Sequence, residues 1–353
     1  MKGYILESAG QARWSDNVPE PKAGPLDVII KPLVVAPCST DVHLIRHPDM
    51  PHIVGKPLGH EVAGEIVEVG DQVKDFKVGD RVIVGSVVPN WRNPAIQEGN
   101  YKFDNISPYM VADPAFGGCF AEKCKLCDAD MNIARIPDNV TLEQALMLTD
   151  MATTAFEGVD ALDVPYGATI VVYGIGPVGL MAVRAAVLKG AARIIAIGSR
   201  PVCIEVAKEY GATDIVNYKD GNVVDQVMAL TGGKLVDGVV VCAGGTTECI
   251  GLAMLMVKYG GTVANVSAYY GEDTLTLPNY NINYGMFDKR FQPVCARGGR
   301  LALERLLALV QYGRLAPEKL ITHRFHGMEH LEEALNMMGG QARDAIKPVV
   351  YFD

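Results

Sequence analysis

The 353-residue chain has no excess of positive charge. Its 41 acidic residues outnumber its 32 lysines and arginines and leave a formal net charge of −9. A surface of that sign repels phosphate backbones and anionic headgroups, which argues against sequence-independent binding to nucleic acid or to an anionic membrane. Any anion must then be held by a local arrangement. The chain has no run near the ~18 consecutive apolar residues of a membrane span. Its first residues, Met1-Lys2-Gly3-Tyr4-Ile5-Leu6-Glu7, lack the apolar stretch of a secretory signal. It has no internal repeat and no low-complexity tract. Its eight cysteines are scattered, which fits a reduced, cytoplasmic chain better than a disulfide framework.

What is present is an ordinary globular composition, 49% hydrophobic and 21% charged, long enough for two domains at ~150 residues each. Three textures follow one another, and the boundaries they suggest are 1–152, 153–295 and 296–353. The first region carries short β-branched runs bounded by Gly, Pro and Asp: Val28-Ile29-Ile30, Glu65 to Val69 and Arg81 to Val84. These predict a mostly antiparallel, barrel-like β domain. The second region alternates strand, glycine turn and helix. Thr169 to Tyr173, Arg193 to Ile197, Val239 to Val241 and Thr262 to Val266 read as buried strands, and Gly176 to Leu188 as an apolar helix. That rhythm predicts an α/β domain with a doubly wound parallel sheet. In the third region we expect a helix over Gly299 to Tyr312, a strand over Ile321 to Phe325 and a helix over Glu329 to Met338. The terminal Lys347 to Tyr351 predicts a strand returning to the first domain.

Gly174-Ile175-Gly176-Pro177-Val178-Gly179 is a GxGxxG run between a five-residue strand and a helix, the setting in which the motif binds a dinucleotide. The first glycine permits the tight turn, the second lets backbone approach a pyrophosphate, and the third lets helix pack on strand. The helix N-terminus offers unpaired amides and partial positive charge to the phosphates. NAD-binding chains place an acid ~20 residues further on, where it bonds the ribose 2′-hydroxyl. Here that strand ends in Gly198-Ser199-Arg200. Gly198 leaves room, the Ser199 hydroxyl can donate, and the Arg200 guanidinium can pair with a 2′-phosphate, so the turn predicts NADP.

Cys38, in Ala36-Pro37-Cys38-Ser39-Thr40, precedes Gly59-His60-Glu61-Val62, and Asp150 lies downstream in Leu148-Thr149-Asp150-Met151. A thiolate, an imidazole and a carboxylate with one open position would form a catalytic zinc site, which polarises a substrate oxygen. Spacing alone only suggests this, since a lone cysteine is more often a small core residue. In a regular strand neighbouring side chains face opposite ways. His60 and Glu61 would therefore share a metal only where the backbone turns, which ranks Glu61 below Cys38, His60 and Asp150.

With these segments, and with Gly70, Val73, Tyr210 to Gly221 and Lys347-Pro348-Val349, nearly the whole chain resembles the zinc-containing medium-chain dehydrogenases. More narrowly it resembles their bacterial and protozoal NADP-dependent secondary alcohol dehydrogenases. The resemblance implies a GroES-like catalytic domain beside a Rossmann domain, and one zinc held by Cys38, His60 and Asp150 with Glu61 as exchangeable fourth ligand. It implies NADP contacts at Ile175 to Val178, Gly198 to Arg200 and Tyr218, with Val266 and Ser267 near the nicotinamide. It also implies a proton relay through Thr40 and His43, direct hydride transfer between an alcohol carbon and nicotinamide, and a homotetramer.

The stretch from Asn93 to Gly118 departs from that pattern. A pocket tryptophan of relatives aligns near Met110, beside Tyr109; a pocket tyrosine aligns with Ala268 or Tyr269; and a basic residue falls at about Gln341. Cys119, Cys124 and Cys127 are too few and differently spaced for the family's four-cysteine structural zinc, and His323, His326 and His330 are not expected to converge. Two other readings compete. One is a zinc-free quinone or enone reductase, which would lack the cysteine and histidine ligands. The other is a non-catalytic NADP-binding protein, which would have lost a ligand or relay residue.

Overall fold

The computed structural model describes residues 1–46, 53–94, 117–244, 246–269, 274–279 and 287–352, so Tyr109, Met110, His47 and His52 lie outside the described residues. The chain divides into two compact units, Met1–Thr153 with Arg297–Asp353, and Thr154–Ala296.

The first unit opens with a hairpin, β1 (Gly3–Ser8) against β2 (Gln11–Ser15). Then come β3 (Val28–Val35), α1 (Ser39–Arg46), β4 (Val62–Val69), β5 (Arg81–Val84), β6 (Cys124–Leu126) and β7 (Ile133–Arg135). Pro32 interrupts β3, yet the strand survives. Pro32 pairs with Gly64 of β4 at a register shift, while β6 pairs only with Val28–Ile30 on the strand's other side. Pro32 lies outside the two stretches paired on that other side, Val28–Ile30 and Val34–Val35, a gap in which a proline is tolerated. Leu6, Val28, Ile30, Val62, Ile66, Val82, Val84 and Phe120 fill the core.

The second unit contains β8 (Thr169–Tyr173), β9 (Arg193–Ile197), β10 (Asp214–Val216), β11 (Val236–Val241), β12 (Val257–Asn265) and β13 (Arg290–Pro293), ordered β10-β9-β8-β11-β12-β13. Every pair is parallel. Reversal of the strand order at β8 makes the switch point of a doubly wound sheet. Val171, Ile195, Ile197, Val239 and Val241 are fully buried, each contributing about 1.5–3 kcal/mol by leaving water.

The last segment returns to the first unit through β14 (Ile321–His326) and β15 (Lys347–Tyr351), extending its sheet to the order β14-β15-β3-β4-β5-β7. Only β14 and β15 pair in parallel within it. The helix expected over Glu329 to Met338 is three pieces: a 3-10 turn Met328–His330, an α-helix Leu331–Asn336 and a π-turn Met337–Gln341. Gly340, at φ 94°, ends the regular backbone there. Among the described residues no helix is long and apolar enough to cross a membrane.

Candidate metal centre and nucleotide turn

Cys38 stands just before α1 and is fixed by Asp41. Its N–H donates to Asp41 Oδ2 at 2.8 Å, and the Asp41 N–H donates back to the Cys38 carbonyl at 3.1 Å. The other Asp41 oxygen, fully buried, lies 3.3 Å from His60 Nδ1 without the alignment of a hydrogen bond. One carboxylate thus serves the backbone of one candidate ligand and the ring of another, as a carboxylate behind a metal-bound histidine does.

His60 and Glu61 lie ahead of β4, in irregular backbone. Gly59 has φ 94°, and a Cβ on it would stand 2.4 Å from the Phe120 ring. Strand alternation begins only at Val62, so the two side chains are free to face one way. The regular strand that would set Glu61 opposite His60 is absent at these two residues. Asp150 occupies a π-turn, Leu148–Ala152. Ser86 Oγ donates to its Oδ1 at 2.9 Å.

One ligand atom from each of Cys38, His60, Glu61 and Asp150 lies within 4.8 Å of all the others. His60 Nε2 is 3.8 Å from Glu61 Oε1 and 4.0 Å from Asp150 Oδ2, which is also 4.0 Å from Cys38 Sγ. Bonds of ~2.0–2.3 Å to tetrahedral zinc put its donors roughly 3.3–3.8 Å apart, so a small contraction suits the ion. Glu61 Oε2 is buried with no hydrogen-bond partner, an orphan that a cation would satisfy.

The charges point the same way. Burial alone would lower the pKa of His60, but Asp41 and Cys38 hold it well above its ordinary value. Burial pushes the Glu61 carboxyl up to about 7, with Asp150 adding to the push and the Lys347 ammonium and His60 opposing it. Burial would also lower Lys347, whose Nζ donates to Glu61 Oε1 at 2.7 Å, but Glu61, Cys38 and Asp150 keep it raised. A buried cluster with surplus negative charge attracts protons, and the same field attracts a divalent cation. Sulfur and imidazole donors suit zinc rather than calcium or magnesium.

Thr40 Oγ1 is 3.7 Å from Cys38 Sγ, and half-buried His43 follows on α1 at the spacing that shares a helix face. The residues that sequence reasoning missed are Asp41, Ser86 and Lys347. Only Lys347 left a signal, as a lone cation in the apolar run Ala345 to Tyr351. Cys119 is buried, its sulfur 3.6 Å from the Glu61 carbonyl, and Cys124 alternates with Lys125 in β6. His326 stacks on Tyr351, while His330 stacks on Phe325 and His323 meets Thr322.

The first unit also holds α2 (Ala129–Asn132) and α3 (Leu142–Leu146), and α4 (Thr153–Asp160) leads into the second, where the glycine run follows β8 directly and opens α5 (Pro177–Leu188). Gly174 has φ 94°; a Cβ on Gly176 would meet open space; one on Gly179 would lie 1.8 Å from the Gly174 carbonyl oxygen. Turn and close packing thus each require their glycine, and Gly176 has open space beside it. Pro177 takes the first helical position and Gly176 caps without a side chain, which leaves the first amides for an anion. Gly198 differs from expectation in its reason. A Cβ there would stand 2.2 Å from Ile175 Cγ1, so Ile175 fills the room. Arg200 is the N-cap of α6 (Pro201–Tyr210), and Tyr218 is half exposed after β10. Val266 follows β12, its N–H donating to the Val241 carbonyl at 3.0 Å, and Asn265 ties Ser267 back by two hydrogen bonds.

Residues 177–309 match the zinc-binding dehydrogenase model and residues 24–138 the GroES-like domain of alcohol dehydrogenases. The chain is 47% identical over 355 residues to the NADP-dependent isopropanol dehydrogenase of Thermoanaerobacter brockii, covering 99% of each chain. It is 45% identical over 354 residues to that of Clostridium beijerinckii, again with 99% of each covered. Among solved structures, the alcohol dehydrogenase TADH from Thermus sp. ATN1 matches over 100% of both chains with a TM-score of 0.87 at 26% identity. The chain belongs to the zinc-binding alcohol dehydrogenase family.

Proposed function

We propose that this protein catalyses the reversible, NADP(H)-dependent oxidation of a secondary alcohol to a ketone. The observation that carries the reading is the convergence of Cys38, His60, Glu61 and Asp150 in a chain so similar to NADP-dependent isopropanol dehydrogenases. Cys38, His60 and Asp150 would hold one zinc per chain and Glu61 would be its exchangeable ligand. When bound, zinc supplies Lewis-acid polarisation of the substrate oxygen, and NADP supplies the hydride acceptor. Thr40 Oγ1, beside the Cys38 sulfur, would receive the alcohol proton, and His43 would pass it to solvent.

The nucleotide would lie against the turn Gly174 to Gly179, on the amides of Val178 and Gly179 at the head of α5, with Ser199, Arg200 and Tyr218 around its 2′-phosphate and Val266 and Ser267 near the nicotinamide. A zinc-free reductase would have no use for the four-donor cluster. The eight cysteines include no disulfide, in keeping with a cytoplasmic setting. Assembly into a homotetramer accords with the family resemblance. Edge strand β13 has mostly exposed side chains and offers backbone for self-pairing.

Arg200 tests the cofactor assignment. A charge-assisted hydrogen bond contributes about 1.5–3 kcal/mol, so Arg200→Ala should lower kcat/KM for NADP roughly 10- to 150-fold while leaving that for NAD within a few-fold. The parent should prefer NADP across a panel of small ketones and alcohols. A parent preference for NAD, or equal losses with both cofactors, would remove Arg200 from that role.

A further inference from the structure

Ser86 follows β5 and is 6% exposed. It touches the π-turn that carries Asp150 at two points. Its N–H donates to the Thr149 carbonyl at 2.9 Å, and its hydroxyl donates to Asp150 Oδ1 at 2.9 Å. Thr153 holds the turn from its other end, its hydroxyl donating to the carbonyls of Thr149 at 3.2 Å and Asp150 at 3.0 Å. The backbone is therefore secured without the serine hydroxyl, whose single proton is committed to one carboxylate oxygen. The two oxygens of Asp150 then have different surroundings. Oδ1 is engaged by Ser86, and Oδ2 faces Cys38 Sγ and His60 Nε2, 4.0 Å from each.

A carboxylate can bind a metal through one oxygen or through both. Binding through both would occupy the position that a catalytic zinc keeps for substrate. We propose that Ser86 is a positioning residue which makes Asp150 a one-oxygen ligand, by withholding Oδ1 and aiming Oδ2. It acts through Asp150 and touches no reacting atom. This rests on the zinc reading above, and nothing in the family comparison assigns it. Outer partners of metal ligands typically govern affinity by 10- to 100-fold, and a hydroxyl-to-carboxylate hydrogen bond at 2.9 Å is a partner of that kind.

The test compares the parent with Ser86→Ala and Ser86→Thr, each as full-length protein. Zinc affinity is measured by competition with a chromophoric chelator. Coordination is read from the visible ligand-field bands of the cobalt(II) form. The melting temperature of the metal-free chain reports any purely structural effect. For Ser86→Ala we expect zinc to bind about tenfold more weakly, and the cobalt bands to weaken and shift as Oδ1 joins the coordination shell. Ser86→Thr keeps the hydroxyl and should retain the parent's affinity within about twofold and the parent's bands.

Parent-like affinity and bands in Ser86→Ala would overturn the proposal while leaving the zinc reading intact. Equal losses in Ala and Thr variants would also overturn it, by tracing the effect to packing. A parent that binds no zinc would overturn the zinc reading and this proposal together. A lowered melting temperature in Ser86→Ala, with unchanged zinc affinity and bands, would confine the serine to stability.

Discussion

Cys38→Ser should reduce ketones with NADPH at least ~10³-fold more slowly than the parent, while binding NADPH with unchanged affinity. Lewis-acid polarisation contributes several kcal/mol to the transition state, and each 1.4 kcal/mol is about tenfold in rate. The serine hydroxyl is a far weaker zinc donor than thiolate, and it would also loosen the centre. Asp41 should keep its grip on the neighbouring backbone, because it binds the residue-38 N–H rather than the sulfur. The glycine turn that would hold the nucleotide lies in the other compact unit, so cofactor binding reports on a part of the chain that the substitution leaves alone. Steady-state turnover and a fluorescence titration with NADPH check both halves. Parent-like turnover would remove the metal from the mechanism, and joint loss of turnover and NADPH binding would point to a folding defect.

Lys347→Met should destabilise the metal-free protein by about 3–5 kcal/mol, the usual cost of leaving one member of a buried ion pair uncompensated. Lys347 is 1% exposed and Glu61 is 0% exposed, so water screens neither. Glu61 already has one oxygen without a hydrogen-bond partner, and the substitution would strip the other. Losing the ammonium removes the principal opposition to the burial that raises Glu61 to about 7, so the carboxyl would titrate higher still. Above the ordinary value of 4.5 the unfolded chain releases the Glu61 proton while the folded chain retains it. Stability from this group therefore falls as pH rises from there through the folded value. The variant should lie closest to the parent in mild acid and furthest from it in alkali. Lys347→Met with Glu61→Gln should recover most of the loss, because an uncharged pair leaves no orphan charge. Denaturant melts at two pH values measure this. A loss below about 1 kcal/mol, or no recovery in the double variant, would contradict the buried-pair account.

These two substitutions lie at opposite ends of what the sequence discloses. Cys38 was nameable because the family resemblance sets it beside His60 and Asp150, while spacing alone would leave it a small core residue. The glycine turn was legible because its constraints are local: φ at Gly174 and the 1.8 Å approach at Gly179 involve residues within one motif. Strands β9 and β15 were legible because short apolar runs end at charged or turn-forming residues. Glu61 and Lys347 are 286 positions apart, and Ser86 and Asp150 are 64 apart. Such partners meet only because the last strand returns to the first unit's sheet and a π-turn faces the end of β5. Apolar periodicity carries no record of either contact. The geometric objection to Glu61 assumed a regular strand, and the strand begins one residue later. The room assigned to Gly198 is filled by Ile175, a side chain from the neighbouring turn. The helix after Gly327 divides at His330/Leu331 and Asn336/Met337 by changes of turn type, to which hydrophobic spacing is blind.

The central claim is that one zinc, held by Cys38, His60 and Asp150 with Glu61 exchangeable, is required for NADP-dependent alcohol–ketone interconversion. Its most direct test is to strip the metal, confirm that the chain remains folded, and titrate zinc back while following NADPH oxidation by a small ketone. We predict that the metal-free protein is inactive, and that activity returns in proportion to added zinc and saturates at one ion per chain. Full turnover by the verified metal-free protein, with zinc adding nothing, would contradict the account.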